Sequence, residues 1–352
     1  MKRVTLLALS ISMATSTLSY GAGSTATVNQ TGGTNTATVT QTNVNDAEAT
    51  VDQNGDLNSA VVLQEDSLNA MYATVNTTGT NNSADIHQSD SWFSTSEIVQ
   101  DGMDNVAEID QLSISDNTLA SIHQVSNTEN DNGYISQLQA VSSTATINQV
   151  ANLTGLNTAQ IFQNDTLDSS ATITQENTQN DTALITQSGT NQFADVVQND
   201  SWTSTATVNQ MGVDNVAHLN QTNISDLTSG LINQTGDWLM ADVNQTNAIS
   251  SSVEVHQFGM GHIATVNQTA DFSSVYTNQV DSFNTLLVNQ DGTYNHTNID
   301  QSGSEHMATV NQNGLGTAGN DNYVTVMQSG FMNTSFVSQT GGGGNSVTVN
   351  QF

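Results

Sequence analysis

The chain has 352 residues and carries 33 Asp and Glu against only two Lys or Arg, for a formal charge of −31. With so little cationic surface to neutralise phosphates or anionic headgroups, nucleic acid and an anionic membrane surface are excluded as partners. Cysteine and proline are both absent, so no disulfide or thiolate metal site can staple the fold and nothing removes a donor from a strand.

Residues 1–22 read as an export signal: Lys2 and Arg3, an apolar stretch around Val4 to Ile11, then small residues up to Gly21 and Ala22. Cleavage is expected between Ser19 and Ala22, leaving residues 23–352 without Lys or Arg and moving the formal charge from −31 to −33, because both basic side chains lie in the leader. No apolar run long enough to span a bilayer follows, so no membrane anchor is expected.

From Gln30 onward a glutamine returns every 11 to 13 residues in most units, through Gln41, Gln53, Gln64, Gln88 and Gln100 to Gln328, Gln339 and Gln351. Thr77 is the one substitute among 28 such units, a period that points to a repeat architecture. Two residues before the marker stands Val, Ile or Leu in every unit but the one with Thr277, and four before it alanine is commonest, as in Ala26, Ala37 and Ala60. Alternation of this kind predicts a strand with one buried face. By the same parity the marker and the residue six before it (Ser24, Asn35, Asn58, Asn215, Asn333, Asn345) point inward. Buried amides are tolerated only when paired, so the reading predicts continuous Gln and Asn ladders between layers about 4.8 Å apart.

Many connections are 11 residues long and place a glycine two after the marker, among them ten at Gly32, Gly55, Gly79, Gly102, Gly189, Gly212, Gly236, Gly259, Gly303 and Gly330. These glycines are predicted to take positive φ in a tight turn. Short and long connections alternate with a two-strand period, so each strand-turn-strand pair is one rung of an all-β, two-sheeted solenoid of about 14 rungs and about 67 Å, a cross-β stack; a three-sided helix is the alternative. By Gln187 the glycine turns have changed parity, which reads as one extra strand entering between Gln137 and Gln187. Residues 84–124 also match 194–234, including Asp90, Ser91 and Trp92 against Asp200, Ser201 and Trp202. The Asp-Ser-Trp loops read as decorated turns, with lateral fibre contact or sugar stacking as their functional reading.

The pattern Ser24-x-Ala26-x-Val28-x-Gln30-x-Gly32-x-x-Asn35-x-Ala37-x-Val39-x-Gln41 resembles the curlin repeat, and it returns at Gln210, Asn215 and Gln221 and at Gln328, Asn333 and Gln339. What the resemblance implies is a curlin-type solenoid: a secreted subunit of curli-like amyloid fibres from a Gram-negative bacterium, extracellular or at the cell surface, serving biofilm matrix and adhesion. Its implied partners are other copies of itself, other curlin-like subunits, a nucleator and an outer-membrane secretion channel. The resemblance places ladder and nucleation roles on Ser24, Gln30, Asn35, Gln41, Gln53, Asn58, Gln64, Gln210, Asn215, Gln221, Gln328, Asn333, Gln339, Asn345 and Gln351. The repeat-free pore-targeting segment usual in the family is not found, since the first strand begins at Ser24.

The pattern continues through Val347, Val349 and Gln351, so both ends are expected to present unpaired backbone to another copy. Acidic turns such as Asp46, Asp66, Asp90, Asp116, Asp200 and Asp226 should repel across rungs at neutral pH, so protonation or divalent cations should speed assembly. Calcium on those turns is the one cofactor considered, and no known calcium motif supports it. The seven histidines fall at different repeat positions, and no nucleophile elbow or paired acid and base stands out, so no catalysis is expected. The alternative functions are a monomeric module binding polysaccharide or ice, against which the irregular outward row Thr27, Thr38, Val61, Asp85, Glu97 counts for ice, and an adhesin stalk.

Overall fold

The computed structural model describes the backbone of residues 13–19, 23–67, 69–151 and 156–352. Among them are 29 strands, numbered in chain order from β1 (Met13–Ser19), β2 (Thr25–Thr31), β3 (Thr36–Thr42) and β4 (Glu48–Asp56) to β27 (Asn322–Phe331), β28 (Thr334–Gly342) and β29 (Ser346–Gln351), and no helix. Each strand pairs in parallel with the strand two further on, which sorts the chain into an odd sheet of 15 strands and an even sheet of 14. The 28 glutamine units are β2 to β29. β1 lies inside the segment read as the leader, and adds itself to the outer edge of β3 with Leu18 opposite Gln41.

The alternation dictates the packing. In β3 the exposed Thr36 and Thr38 and the half-buried Thr40 and Thr42 alternate with buried Ala37, Val39 and Gln41, and the same phase repeats strand after strand. The inner faces meet in one continuous core that runs from Ala37 and Val39 to Val326 and Val337, with Ile86, Ile98, Ile109, Ile122 and Ile147 fully buried. Register keeps like on like: Val39 faces Val62, and Gln41 faces Gln64. A slip by one residue would put every alanine and valine into water, so the pattern fixes the register.

All ten turn glycines adopt positive φ, from +94° at Gly330 to +143° at Gly102; Gly292 and Gly341 do the same at +100° and +116°. The turns stack as well as bend. A Cβ on Gly55 would run into the carbonyl oxygen of Gly79, and one on Gly79 into that of Gly102.

One expectation is corrected. No extra strand enters between Gln137 and Gln187, because the strict alternation of sheets continues through that stretch. What changes is the edge. The glycines from Gly32 to Gly102 follow even strands, whereas Gly189 to Gly259 follow odd ones. The two Asp-Ser-Trp loops therefore lie on opposite edges, with Trp92 and Trp202 40% and 45% exposed.

Candidate functional site: the buried amide ladders

The marker glutamines are buried from Gln41 to Gln339, and those on the outermost rungs, Gln30 and Gln351, are half-buried. In the odd sheet each Nε2 donates to the Oε1 of the next glutamine without interruption from Gln41 through Gln64, Gln88, Gln111, Gln137, Gln163, Gln187, Gln210, Gln234, Gln257, Gln279, Gln301 and Gln328 to Gln351, at 2.8–3.0 Å. All these bonds point the same way along the stack. The second N–H of many of these amides crosses the core: Gln41 donates to Thr25 O at 3.0 Å, Gln187 to Ser170 O at 3.0 Å and Gln210 to Phe193 O at 2.9 Å, each on the facing sheet. One side chain thus joins neighbouring rungs and opposed sheets, a cross-link that strand parity alone does not reveal.

The even ladder has one break. Gln30 donates to Gln53 at 2.7 Å and Gln100 to Gln124 at 2.9 Å, and the ladder then runs on through Gln221 and Gln245 to Gln339. Between Gln53 and Gln100 stands Thr77, fully buried. Gln53 Nε2, Thr77 Oγ1 and Gln100 Oε1 are all buried without a partner.

The residue six before the marker behaves differently from the expected Asn ladder. Asn35 Nδ2 donates to Thr31 O at 3.0 Å and Gly55 O at 2.8 Å, Asn58 Nδ2 to Gly79 O at 3.0 Å, and Asn215 Nδ2 to Met211 O at 3.2 Å and Gly236 O at 2.8 Å. Their Oδ1 atoms accept the backbone N–H of the equivalent residue one rung on, as Asn35 does from Asn58 and Asn215 from Leu239, both at 3.0 Å. Only a few amides bond along the column, such as Asn345 to Asn322 at 3.2 Å. Asparagine sits at the corner, where the glycine turn presents its carbonyls, and with one methylene fewer than glutamine it satisfies the turn. Ser24 bridges Val44 O and Ala47 N, and Asn333 Nδ2 donates to Ser329 O at 2.6 Å.

Two histidines that sequence reading left unassigned hold this corner position. His306 Nδ1 accepts from Asn333 N at 3.2 Å, so its Nε2–H donates to Ser302 O at 3.1 Å. His262 makes the matching pair with Asn284 N and Phe258 O, and burial lowers its pKa. Their offset of six from Gln268 and Gln312 was the available signal. A second missed feature is an outward ladder on the even sheet, in which Asn220, Asn244, Asn267, Asn289 and Asn311 bond in turn at 2.8–3.2 Å. Its signal is the repeated Asn-Gln dipeptide.

In the same corner column Asp131 and Asp181 replace asparagine, 1% and 0% exposed. Asp131 Oδ1 accepts from Asn157 N at 3.2 Å and Nδ2 at 3.1 Å, while Oδ2 is buried with no partner. Burial pushes its carboxyl up to about 6, against the two bonds from Asn157. Burial also raises Asp181 to about 6, opposed by Ser201 Oγ and Ser204 N and assisted by Asp226. Several surface carboxylates do not stack on one another as expected: Asp52, Asp66 and Asp214 accept from Asn29, Asn43 and Asn191 one rung away.

These features define a class: a parallel two-sheet solenoid whose core is sealed by unidirectional glutamine ladders. The sequence model of the curlin associated repeat matches residues 319–352, the stretch that contains β27 to β29. That match supports assigning the chain to the curlin-repeat family, and the register from β2 to β29 carries the same positions through the rest of the molecule. No curated protein matches the chain.

Proposed function

We propose that this chain is a secreted subunit of curli-like extracellular amyloid fibres, structural rather than catalytic, which assembles by stacking its rungs on those of another copy. The observation that carries the reading is the direction of the ladders. Every rung except the one with Thr77 offers Nε2 donors on one side and Oε1 acceptors on the other in both ladders, so the contact between such rungs inside the chain is also the contact two chains would make. Gln351 Nε2 bonds Thr334 O at 2.9 Å within its own rung and is half-exposed, in the position that engages a further glutamine elsewhere.

The leader fits the same reading. With β1 in place Gln41 Oε1 is buried and has no donor, and the backbone register pairs position 41 with Leu18, where the other rungs of this sheet have glutamine. An orphaned buried acceptor costs about 1–3 kcal/mol, so β1 is a poor rung, and its removal frees that acceptor for a glutamine of another copy.

The test is to dilute the mature chain from denaturant and follow thioflavin T fluorescence and fibre diffraction. Fibres with reflections near 4.8 and 10 Å are expected. A β-rich monomer that stays silent to the dye over days would overturn the proposal.

A further inference from the structure

One diagonal line of rings crosses the outer face of the odd sheet. It starts on β21 (Ser252–Met260) with Phe258 and His256, stacked at 6.5 Å and 2°. His256 then meets Tyr276 of β23 (Ser274–Ser282) at 5.4 Å. On the next two strands of the sheet, β25 (Asn295–Ser304) and β27, His296 stacks on Tyr323 at 5.1 Å and 25°. His296 is held in place by Ser274 Oγ at 2.7 Å and lies 3.6 Å from Asp321 Oδ2. Between Tyr276 and the His296–Tyr323 pair the face opens into a groove of about 390 Å³, whose lining includes Ser274, Asn298 and Thr325. A second groove of about 240 Å³ on the same face ends at Phe258 and includes Asn209, Asn233 and Thr235.

We propose that this track binds a strand of neutral, β-linked polysaccharide. Phe258, Tyr276 and Tyr323 are 43%, 42% and 49% exposed and leave ring surface open to the apolar faces of pyranose rings. The amides and hydroxyls between them match sugar hydroxyls, and the grooves fall in or near the size range of small-ligand sites. Tyr276 and Tyr323 stand two strands and two residues of register apart, about 12 Å on the diagonal, somewhat longer than an extended disaccharide. Charge selects among polymers. The track's own imidazoles, His256 and His296, each lie 3.6 Å from a carboxylate, Glu254 and Asp321, with Asp300 also on this face, and the chain past residue 22 has no Lys or Arg, so uronate or sulfate polymers and a second, equally acidic copy are disfavoured. The track lies on a sheet face, so the proposal does not depend on whether the chain stacks end to end.

The test measures retention of the full mature chain, freshly diluted and assembled alike, on amorphous cellulose and in gels containing soluble mixed-linkage β-glucan, with dextran and alginate as comparators. Retention by the β-linked polymers is expected. Tyr276→Ala and Tyr323→Ala should each weaken it about tenfold. The double Tyr276→Phe, Tyr323→Phe variant should keep it, as should Tyr72→Ala on the other sheet. The proposal is overturned if the wild type is not retained, if dextran or alginate retains it equally, or if the double alanine variant binds as before. It is also overturned if that variant alters only the width of fibre bundles, which would make the track a contact between copies.

Discussion

The stretch from β2 to β9 (Val106–Leu112) and the stretch from β15 (Thr182–Thr190) to β22 (Ile263–Asp271) use the same eleven-residue glycine turn on opposite edges of the stack. In the first, Gly32, Gly55, Gly79 and Gly102 form the column; in the second, Gly189, Gly212, Gly236 and Gly259. From Gly32 to Gly79 and from Gly189 to Gly259 each glycine is required by its neighbour, because a Cβ on it would enter the carbonyl of the turn stacked against it. A tight turn is thus a property of a column, not of a strand. The glycine column changes edges across β10 (Leu119–Glu129) to β14 (Ser170–Glu176), where the ten turn glycines are absent, and the corners flanking these strands hold the buried Asp131 and Asp181.

The comparison breaks most sharply at the columns themselves. Gly212→Ala places a Cβ against Gly236 O at a φ of +123°, and should cost more than about 3 kcal/mol. Gly341, at φ +116°, has open space where its Cβ would go, so Gly341→Ala should cost only about 1 kcal/mol of backbone strain. Urea midpoints of the two variants measure the difference; equal losses would mean that strain within the turn, rather than contact between turns, sets the column.

The crossover stretch should be the pH-sensitive one, losing stability as pH rises. Asp131 rises from 3.8 to about 6 on folding, so its contribution is complete below about pH 4 and is lost as pH climbs through 6. That amounts to a penalty of about 3 kcal/mol at pH 7. Asp131→Asn supplies the amide donor that Asn35 and Asn58 use in the same column. It should remove this part of the pH dependence, raising stability at pH 7 with little change at pH 4. A variant whose urea midpoint falls with pH between 4 and 7 as steeply as the parent's would show that Asp131 is ionised in the fold.

Much of this was legible because the repeat is written into single positions. The marker, the valine two before it and the glycine two after it each have one physical job, so 28 strands, two sheets and the positive-φ turns follow from spacing. The corner was less legible because several side chains do that job equally well: Asn35, His262 and His306 all donate to a carbonyl near a turn and accept the next rung's N–H, and nothing in their one-letter identities says so. The edge exchange was misread as an added strand because parity counts strands and cannot tell which edge a turn occupies. The ring track was invisible for another reason. Phe258, His256, Tyr276 and the in-register pair His296 and Tyr323 occupy four different repeat positions, and only the offset between strands makes them a line.

The ladders themselves should matter less per residue than the glycine column. Gln187→Leu leaves Gln210 Oε1 without its donor and removes the acceptor of Gln163 Nε2, although the latter keeps Thr144 O at 3.0 Å. A loss of about 2 kcal/mol is expected, read as a lowered urea midpoint. Gln187→Asn should do no better, because the shorter amide cannot span the rungs.

The smallest effect expected is a gain, within the first of the two glycine stretches. Thr77 lies between Gln53 and Gln100 in register, and the three buried atoms it leaves without partners are the only interruption in either ladder between Gln30 and Gln351. Thr77→Gln places an amide where the flanking rungs already accommodate one, and supplies an acceptor for Gln53 Nε2 and a donor for Gln100 Oε1. Two neutral hydrogen bonds formed in place of orphaned groups, less the rotamer entropy of a longer side chain, should stabilise the chain by about 1 kcal/mol. The urea midpoint should rise, and amide exchange should slow on β4, on β6 (Tyr72–Thr80), which carries residue 77, and on β8 (Thr95–Met103). A variant less stable than the parent would mean that the core has closed around the threonine methyl, and that the break at Thr77 is a packing solution rather than a gap in the ladder.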